Sequence, residues 1–288
     1  MARSEMRSSA LELRPIEYRF GSLAHIDGSA SFSFGAELVT LAGVRGPSEV
    51  RIRDELTDKG TLEILFQPLG SPAALPATSL AASLRSLFSG IIRLNVYPRT
   101  LVQINLQTCS VPLEPHRPPT EEENDKLLPP HPDAPISAPE KSALINASMA
   151  GLIDAGVECR ATVTSVSLAC LPRRKAKELR ENRRAWRAGE VDVTQEDDEM
   201  EEGDESTILL DPTPAELRWA TSNHVFAFAF SGYSPQNPGQ VLTELVFAES
   251  SGRAEWLKHK EVISLAREAA QSVLSVLRQT CRKNATET

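Results

Sequence analysis

The alternation of apolar and polar residues predicts a series of strands along the chain. Residues 29–34 and 38–44 are predicted to form the first pair, joined by a turn at Gly35. Runs rich in β-branched and aromatic residues predict the other strands. These lie at residues 50–53, 61–66, 101–106, 161–168, 208–210, 224–230 and 241–247.

Apolar residues spaced three or four positions apart predict helices. The first covers residues 78–95, and the second begins near residue 142 and ends at Gly156, a residue type that favours helix C-termini. A long amphipathic helix is predicted at residues 254–283, with an apolar stripe that includes Leu257, Ile263, Ala266, Ala270, Val273, Leu274 and Leu277. Strands with interleaved helices indicate an α/β or α+β layered fold.

Two segments lack a periodic apolar face and are predicted to leave the folded core. Residues 110–138 are rich in proline, and residues 172–206 contain a basic stretch followed by an acidic one. We therefore expect an N-terminal tail at 1–14, a single domain at 15–283 interrupted by these two inserts, and a C-terminal tail at 284–288. Either the opposite charge blocks pair with each other, or the basic stretch contacts RNA or protein.

The net charge of −8 argues against wrapping a polyanion by bulk charge, but the charge is unevenly distributed. Ten of the 39 acidic residues lie between Glu190 and Glu205, so the rest of the chain is close to neutral and can still carry a basic surface. The four cysteines are widely spaced, which is typical of free thiols in a reducing compartment. No secretory signal or membrane-spanning run is evident, so we expect a nuclear or cytoplasmic protein without a membrane partner.

Two glycine motifs predict local structure. Asp27-Gly28-Ser29 precedes a predicted strand and should form a tight turn, in which Asp27 bonds its own backbone and Gly28 has a positive φ. Gly46-Pro47 should end a strand, because proline has no N–H to donate to a sheet.

Several short motifs resemble the RNase PH family as it occurs in the ring of the eukaryotic RNA exosome. They are DGSA at 27–30, LAGVRGPSEV at 41–50, YPRT at 97–100, NA at 146–147, IDAGV at 153–157 and LLDPT at 209–213. The resemblance implies an RNase PH-like fold, in which mixed β-sheets pack with helices and the last helix is long. It also implies a nuclear, nucleolar and cytoplasmic protein of RNA processing and degradation. Its partners would be other ring subunits, RNA-binding cap subunits, RNA in the ring channel and an associated nuclease.

Active relatives cleave RNA by phosphorolysis, and the resemblance places their phosphate loop at Pro139, Glu140 and Lys141. Proline lacks a backbone donor there, Glu140 would repel an anion, and Lys141 lacks the two-pronged geometry of arginine. Two adjacent arginines that grip RNA in the active type correspond to Leu75 and Pro76.

The metal site of active relatives is also altered. Its two aspartates, downstream of Asp211, correspond to Leu217 and Asn223, with Glu216 the one neighbouring carboxylate. Leucine cannot ligate a metal and asparagine supplies no charge. The resemblance therefore implies a structural subunit with no catalytic residues, no metal and no cofactor, and Asp211 is expected to cap a turn.

Arg53 matches a family arginine on the channel side and is the first candidate for an RNA contact. Arg51, Arg93 and Arg99 are weaker candidates, and residues 241–247 are candidates for a subunit interface. Two other functions stay open: an active ribonuclease, phosphorolytic or metal-dependent, for which a homodimer is one form, and a free-standing RNA-binding adaptor that uses the basic insert.

Overall fold

The computed structural model describes residues 10–69, 72–112, 135–172, 206–217, 219–232, 242–253 and 256–287. In this part of the chain, two β-sheets enclose a buried helix. Most of the two inserts predicted from the sequence, including the basic and acidic stretches, lies outside the described residues. This arrangement confirms the predicted layered fold of mixed sheets and helices.

The first sheet contains the N-terminal strands. They are β1 (Ile16–Phe20), β2 (Gly28–Phe34), β3 (Leu38–Glu49), β4 (Thr61–Gln67) and β5 (Thr100–Ser110). Their order is β1-β2-β3-β5-β4, and all neighbours are antiparallel except β4 and β5. The parallel pair needs a crossover, which helix α1 (Leu75–Ile91) supplies.

The second sheet is entirely antiparallel. Its strands are β6 (Thr162–Pro172), β7 (Ser206–Leu210), β8 (Ser222–Ser231) and β9 (Leu242–Gly252), in the order β7-β6-β8-β9. A short helix, α3 (Pro214–Leu217), follows β7. The last residue of β6, Pro172, pairs directly with the first residue of β7, Ser206.

Helix α2 (Ala138–Asp154) lies between the two sheets, packing against β2 and β3 on one side and β6 and β8 on the other. Because it is covered on both sides, its sequence lacks a polar face and is rich in small residues. It ends in a Schellman motif: Val157 N–H donates to Leu152 O and Gly156 N–H donates to Ile153 O, with Gly156 at φ 66°. The predicted role of Gly156 is thereby confirmed.

Polar side chains join α2 to both sheets. The amide of Asn146 donates to Ser165 O (2.9 Å) and accepts from Ser165 N–H (2.8 Å) on β6. Asp154 accepts from the backbone N–H of Ser29 (2.7 Å) at the start of β2. These two residues belong to motifs that were recognised in the sequence, and the structure gives them a packing role.

Helix α4 (Trp256–Glu287) packs on β1, β6 and β8 through an apolar face. The buried residues of that face are Val262, Ala266, Ala269, Ala270, Val273, Leu274 and Leu277. They agree with most of the predicted stripe, which confirms the long amphipathic C-terminal helix. Among the described helices, none combines the length and the apolar character that crossing a membrane requires.

The N-terminal segment is anchored more firmly than a tail. Arg14 is only 5% exposed, and its guanidinium donates two hydrogen bonds to Asp211 (2.5 and 2.6 Å). Leu210 N–H also donates to Ala10 O (3.1 Å), so residues 10–14 extend along the end of β7. The predicted tail boundary at residue 14 was therefore wrong, and so was that at residue 284, because α4 continues to Glu287.

Three local predictions were wrong for identifiable reasons. Residues 50–53 do not form a strand: a 3₁₀ turn covers Ile52–Asp54, and the Ile52 side chain is 91% exposed, so its apolar character does not reflect burial. Strand β1 was missed, although its five residues alternate apolar with polar side chains and their burial follows the same alternation. Pro47 does not end β3, which continues to Glu49 through a register shift between Arg45 and Ser48.

The predicted turn at Asp27-Gly28-Ser29 was wrong as well. Gly28 is the first residue of β2 and is not among the glycines with positive φ. Glycine is needed there because a Cβ would lie 2.2 Å from the backbone nitrogen of Ala155, at the end of α2. The Asp27 carboxylate accepts a hydrogen bond from Gly46 N–H (2.7 Å), which joins the start of β2 to β3.

This close contact predicts a marked sensitivity to one methyl group. Gly28→Ala should lower the free energy of unfolding by about 1–3 kcal/mol or more, because α2 must move away from β2 to accept the Cβ. Urea unfolding of the purified chain measures the change. The matched control is Gly90→Ala in α1, where a Cβ meets nothing within 4 Å and should stabilise the helix by about 0.5–1 kcal/mol. Equal effects of the two substitutions would contradict the packing argument.

Candidate functional site

The three positions predicted to replace a phosphate loop lie in the first turn of α2. Ser137 caps this helix, with its hydroxyl oxygen accepting from Glu140 N–H at 3.4 Å, and Pro139 occupies a position where a missing N–H is tolerated. The N-terminus of a helix attracts negative charge, because its free N–H groups and its dipole point outward. The chemistry of this turn therefore depends on which acid lies next to it.

The acid is supplied by the chain itself. Glu140 is 8% exposed, and Thr108 Oγ1, on β5, donates to its Oε1 at 2.7 Å. Burial raises the pKa of this carboxyl, while the hydrogen bond from Thr108 opposes the rise. The first turn of α2 is thus already next to an internal carboxyl group.

The cation of the same turn is also engaged. Lys141 Nζ forms an ion pair with Glu249 on β9. The Lys141 side chain is 19% exposed and that of Glu249 is 42% exposed, so the pair lies at the boundary with solvent. A free anion that approached this turn would meet the carboxyl of Glu140 and a lysine already paired with a second carboxylate.

The positions that correspond to the metal site lie along the second sheet. Leu217 is partly buried and packs against a small apolar cluster of Ala169, Leu171 and Leu209. Asn223 is on β8, and its amide oxygen is buried without a hydrogen-bond partner among the described residues.

Two carboxylates lie near these positions. Asp211 is fully buried and paired with Arg14, at a φ of +46°, and Glu216 accepts from Thr213 N–H at 2.7 Å. Where the structure describes the chain, no three histidine, cysteine, aspartate or glutamate side chains are grouped so as to hold a metal ion.

The backbone register shows how Asp211 and Glu249 are placed relative to each other in the second sheet. Asp211 N–H donates to Ser167 O, Ser167 is opposite Val225, and Val225 is opposite Glu249, the partner of Lys141. Asp211 and Glu249 are therefore at opposite ends of one row across the sheet, roughly 14 Å apart at three strand spacings. The fold brings the two groups of predicted positions to the same region, but each carboxylate faces its own internal partner.

His224 follows Asn223 on β8 and is held within the sheet. Its Nε2 is 3.0 Å from Ser222 Oγ and its Nδ1 is 2.8 Å from Ser250 Oγ, while its ring stacks on Phe226 at 5.8 Å between centroids. Burial lowers the pKa of His224, and the neighbouring His259 lowers it further. Both ring nitrogens are thus engaged within the sheet.

The residues predicted to replace the RNA-gripping arginines begin helix α1. Leu75 is the first residue of that helix and is 78% exposed, and Pro76 follows it in the first turn. Neither side chain carries a charge, so this turn offers no cation to a phosphate.

Three of the four candidate RNA-contacting arginines lie in loops at one end of the first sheet. Arg51 immediately precedes the 3₁₀ turn after β3, and Arg53 lies within that turn. Arg99 immediately precedes β5, and its backbone N–H donates to Leu56 O at 3.1 Å. Arg93 belongs to the connection between α1 and β5, and its guanidinium pairs with Glu158, beyond the end of α2.

Arg53 is more exposed than Arg93 and Arg99. Its side chain is 87% exposed, and its nearest acid, Asp54, is 3.7 Å away, whereas Arg99 pairs with Glu55 at 3.2 Å. The loops also carry Glu49 and Asp58, so they do not form a uniformly basic patch. Any contact with a phosphate backbone would depend on individual guanidinium groups.

Sequence reasoning missed Thr108, Glu249 and Arg14, the partners of Glu140, Lys141 and Asp211. Thr108 and Glu249 lie on strands far from α2 in the sequence, and no local pattern marks them. Arg14 was assigned to a tail. Only the pairing of strands and the packing of α2 reveal these contacts.

The raised pKa of Glu140 predicts a pH-dependent stability. Since its carboxyl keeps a proton to higher pH in the folded chain than in the unfolded chain, the folded state binds more protons in that window. The free energy of unfolding should therefore fall as pH rises from about 4.5 through the raised pKa. Glu140→Gln should remove this decline and make the chain more stable than wild type at pH 8, as measured by urea unfolding at pH 5 and pH 8.

Glu244→Gln is the matched control, because Glu244 is exposed on β9 and the substitution removes the same charge. It should leave the difference between the two pH values unchanged. If Glu140→Gln destabilises the chain equally at both pH values, the buried carboxyl is not the source of the pH dependence.

Comparisons with known proteins agree with this geometry. The chain is 24% identical to the exosome complex component RRP46 of Saccharomyces cerevisiae over 269 residues, which cover 93% of this chain and 96% of that protein. It is 31% identical to the exosome complex component rrp46 of Schizosaccharomyces pombe over 142 residues, 49% of this chain and 52% of that protein.

The fold has a solved counterpart and a matching family. A crystal structure of rice (Oryza sativa) Rrp46 superposes with a TM-score of 0.67 at 18% identity, covering 97% of this chain and 100% of the rice chain. The model of the 3′ exoribonuclease family, domain 1, matches residues 12–158, which is half of the chain and includes the first sheet, α1 and α2. The chain therefore belongs to the 3′ exoribonuclease family.

Proposed function

We propose that this chain is a non-catalytic ring subunit of the RNA exosome, in the position of Rrp46, and that it supports 3′-to-5′ RNA processing and degradation. Its relatives are named as exosome complex components, which supports the proposal that this chain belongs to that assembly. The DGSA and LLDPT motifs resemble those of the subunit called exosome component five, and we include this subunit assignment in the proposal.

The observation that carries the non-catalytic part is the first turn of α2. Phosphorolysis needs an inorganic phosphate held by cations and N–H donors, and a metal that neutralises the developing charge. Here Glu140 adds a buried carboxyl next to that turn, and the ammonium of Lys141 is paired with Glu249. At the corresponding metal positions, Leu217 is an apolar residue packed against a small buried cluster and Asn223 has no charge.

The remainder of the proposal concerns partners and location. Other RNase PH-like subunits would flank this chain in the ring, RNA-binding subunits would cap it, and RNA would pass through the channel to an associated nuclease. Arg53 would contact the RNA, with lesser contributions from Arg51, Arg93 and Arg99. The chain would act as one RNase PH-like domain in the nucleus, the nucleolus and the cytoplasm.

We expect the purified chain to release no nucleoside diphosphates from polyadenylate in the presence of phosphate and magnesium. The same chain, co-expressed with the other ring subunits, should elute as one copy per ring in size exclusion with light scattering. Release of nucleoside diphosphates that is lost in Lys141→Met would overturn the non-catalytic assignment. Release that persists in this variant would come from a contaminant. Failure to join the ring would overturn the proposal that this chain is a ring subunit.

Arg53 allows a direct test of the RNA path. In the assembled ring, Arg53→Glu should weaken RNA protection several-fold, to a similar degree for different sequences and less at high salt, because a guanidinium at a phosphate adds affinity without reading bases. Nuclease protection with two unrelated RNAs at two salt concentrations measures this.

Arg278→Glu is the control for Arg53→Glu. Arg278 is exposed on α4, and the substitution makes the same change of charge. Protection that falls equally in both variants would reflect net charge alone. Protection at the wild-type level with Arg53→Glu would show that Arg53 is an ordinary surface residue.

A further inference from the structure

Strand β4 is the edge of the first sheet, and one side of its backbone has no strand partner within the described residues. Exposed strand edges present unpaired N–H and C=O groups, and proteins usually shield them with charge, proline or a covering segment. The β4 sequence TLEILFQ contains no proline and a single charge, at Glu63. Its edge is therefore chemically open to another extended chain.

A cavity of about 620 Å³ lies along this edge and continues onto the neighbouring strands. Four consecutive residues of β4, 64–67, line it, although successive side chains of a strand point to opposite faces. The cavity must therefore follow the backbone of β4 and not only one face of the sheet. Leu65, within this run, is 49% exposed although its neighbours Ile64 and Phe66 are buried.

Helix α1 forms a further part of the lining, mostly through small residues. Ala77, Thr78, Ala81 and Ala82 line the cavity, so apart from Arg85 no large side chain of the helix enters the space beside β4. Leu23, Ile26 and Leu41 add apolar surface from the other strands and loops. A strand edge beside a helix, with apolar space between them, is the setting in which an extended peptide adds to a sheet.

Most polar side chains of the cavity lack described partners; the exception is Thr78, whose hydroxyl donates to Leu75 O. Arg85 lines it from α1 and, among the described residues, has neither an ion pair nor a hydrogen bond. The side-chain amides of Gln67, Asn105 and Gln107 are exposed in the same cavity, also without a described partner. A single cation in an apolar surrounding is complementary to a ligand that is mostly apolar and carries one carboxylate.

We propose that the groove between β4 and α1 binds an extended segment of a partner protein, which adds as a further strand to β4. Alternate side chains of that segment would enter the apolar cavity, and an aspartate, glutamate or terminal carboxylate would pair with Arg85. A helical ligand would leave the free backbone groups of β4 unpaired. A nucleic acid would find one arginine in an apolar setting instead of a row of cations.

The test uses a phage-displayed library of random octapeptides, panned against the full-length chain. The selected peptides should alternate apolar with polar residues and share an acidic residue at a fixed offset. Synthetic copies should lose at least tenfold in affinity, measured by fluorescence anisotropy, when alternate backbone nitrogens are methylated, because methylation removes the donors that β4 would accept.

Two substitutions of the chain locate the site. Ala82→Trp fills the cavity from an exposed position and should abolish binding, whereas Ser83→Trp, on the same helix but outside the lining, should not. Arg85→Glu should weaken binding at least tenfold, and exchanging the acidic residue of the peptide for lysine should restore it. Unchanged melting temperatures show that the variants fold. An absence of selected peptides, or binding that Ala82→Trp leaves intact, overturns the proposal.

Discussion

The enclosure of α2 between two sheets is the constraint on which the rest of the structure depends. The helix approaches the first sheet so closely that side chains are excluded: a Cβ at Gly28 would meet the backbone of Ala155, and one at Gly151 would lie 3.1 Å from Val44. On the opposite side, the amide of Asn146 replaces a peptide group in bonding both the N–H and the C=O of Ser165. The two halves of the chain are thus joined through one helix that has no free face.

The same constraint determines the chemistry at the beginning of α2. A helix buried on all sides still has an N-terminal turn whose N–H groups need partners. In this chain, the Ser137 hydroxyl accepts from Glu140 N–H, Thr108 donates to the Glu140 carboxyl from the first sheet, and Glu249 pairs with Lys141 from the second sheet. The side chains of this turn are therefore engaged with partners of the same chain.

Much of the fold could be predicted from the sequence, because its longer elements bury a regular pattern of residues. The continuous apolar run of β8 and the stripe of α4 are examples, and the glycine at the end of α2 is the residue type that a helix terminus with positive φ favours. The exposed Ile52 and the five-residue β1 show where the pattern is insufficient, since an apolar side chain need not be buried and five alternating residues are too few to mark a strand. The partners of Glu140, Lys141 and Asp211 could not be predicted, because each contact joins residues that only the folded sheets bring together.

The pairing of Pro172 with Ser206 has a consequence for how this chain can vary. Strand β6 ends and β7 begins at directly opposed residues, so the two strands have the geometry of a hairpin. Closing a loop becomes only slowly more difficult as the loop lengthens. Insertions and deletions in that connection can therefore accumulate, or a reporter domain can be placed there, without altering the register of the sheet around α2.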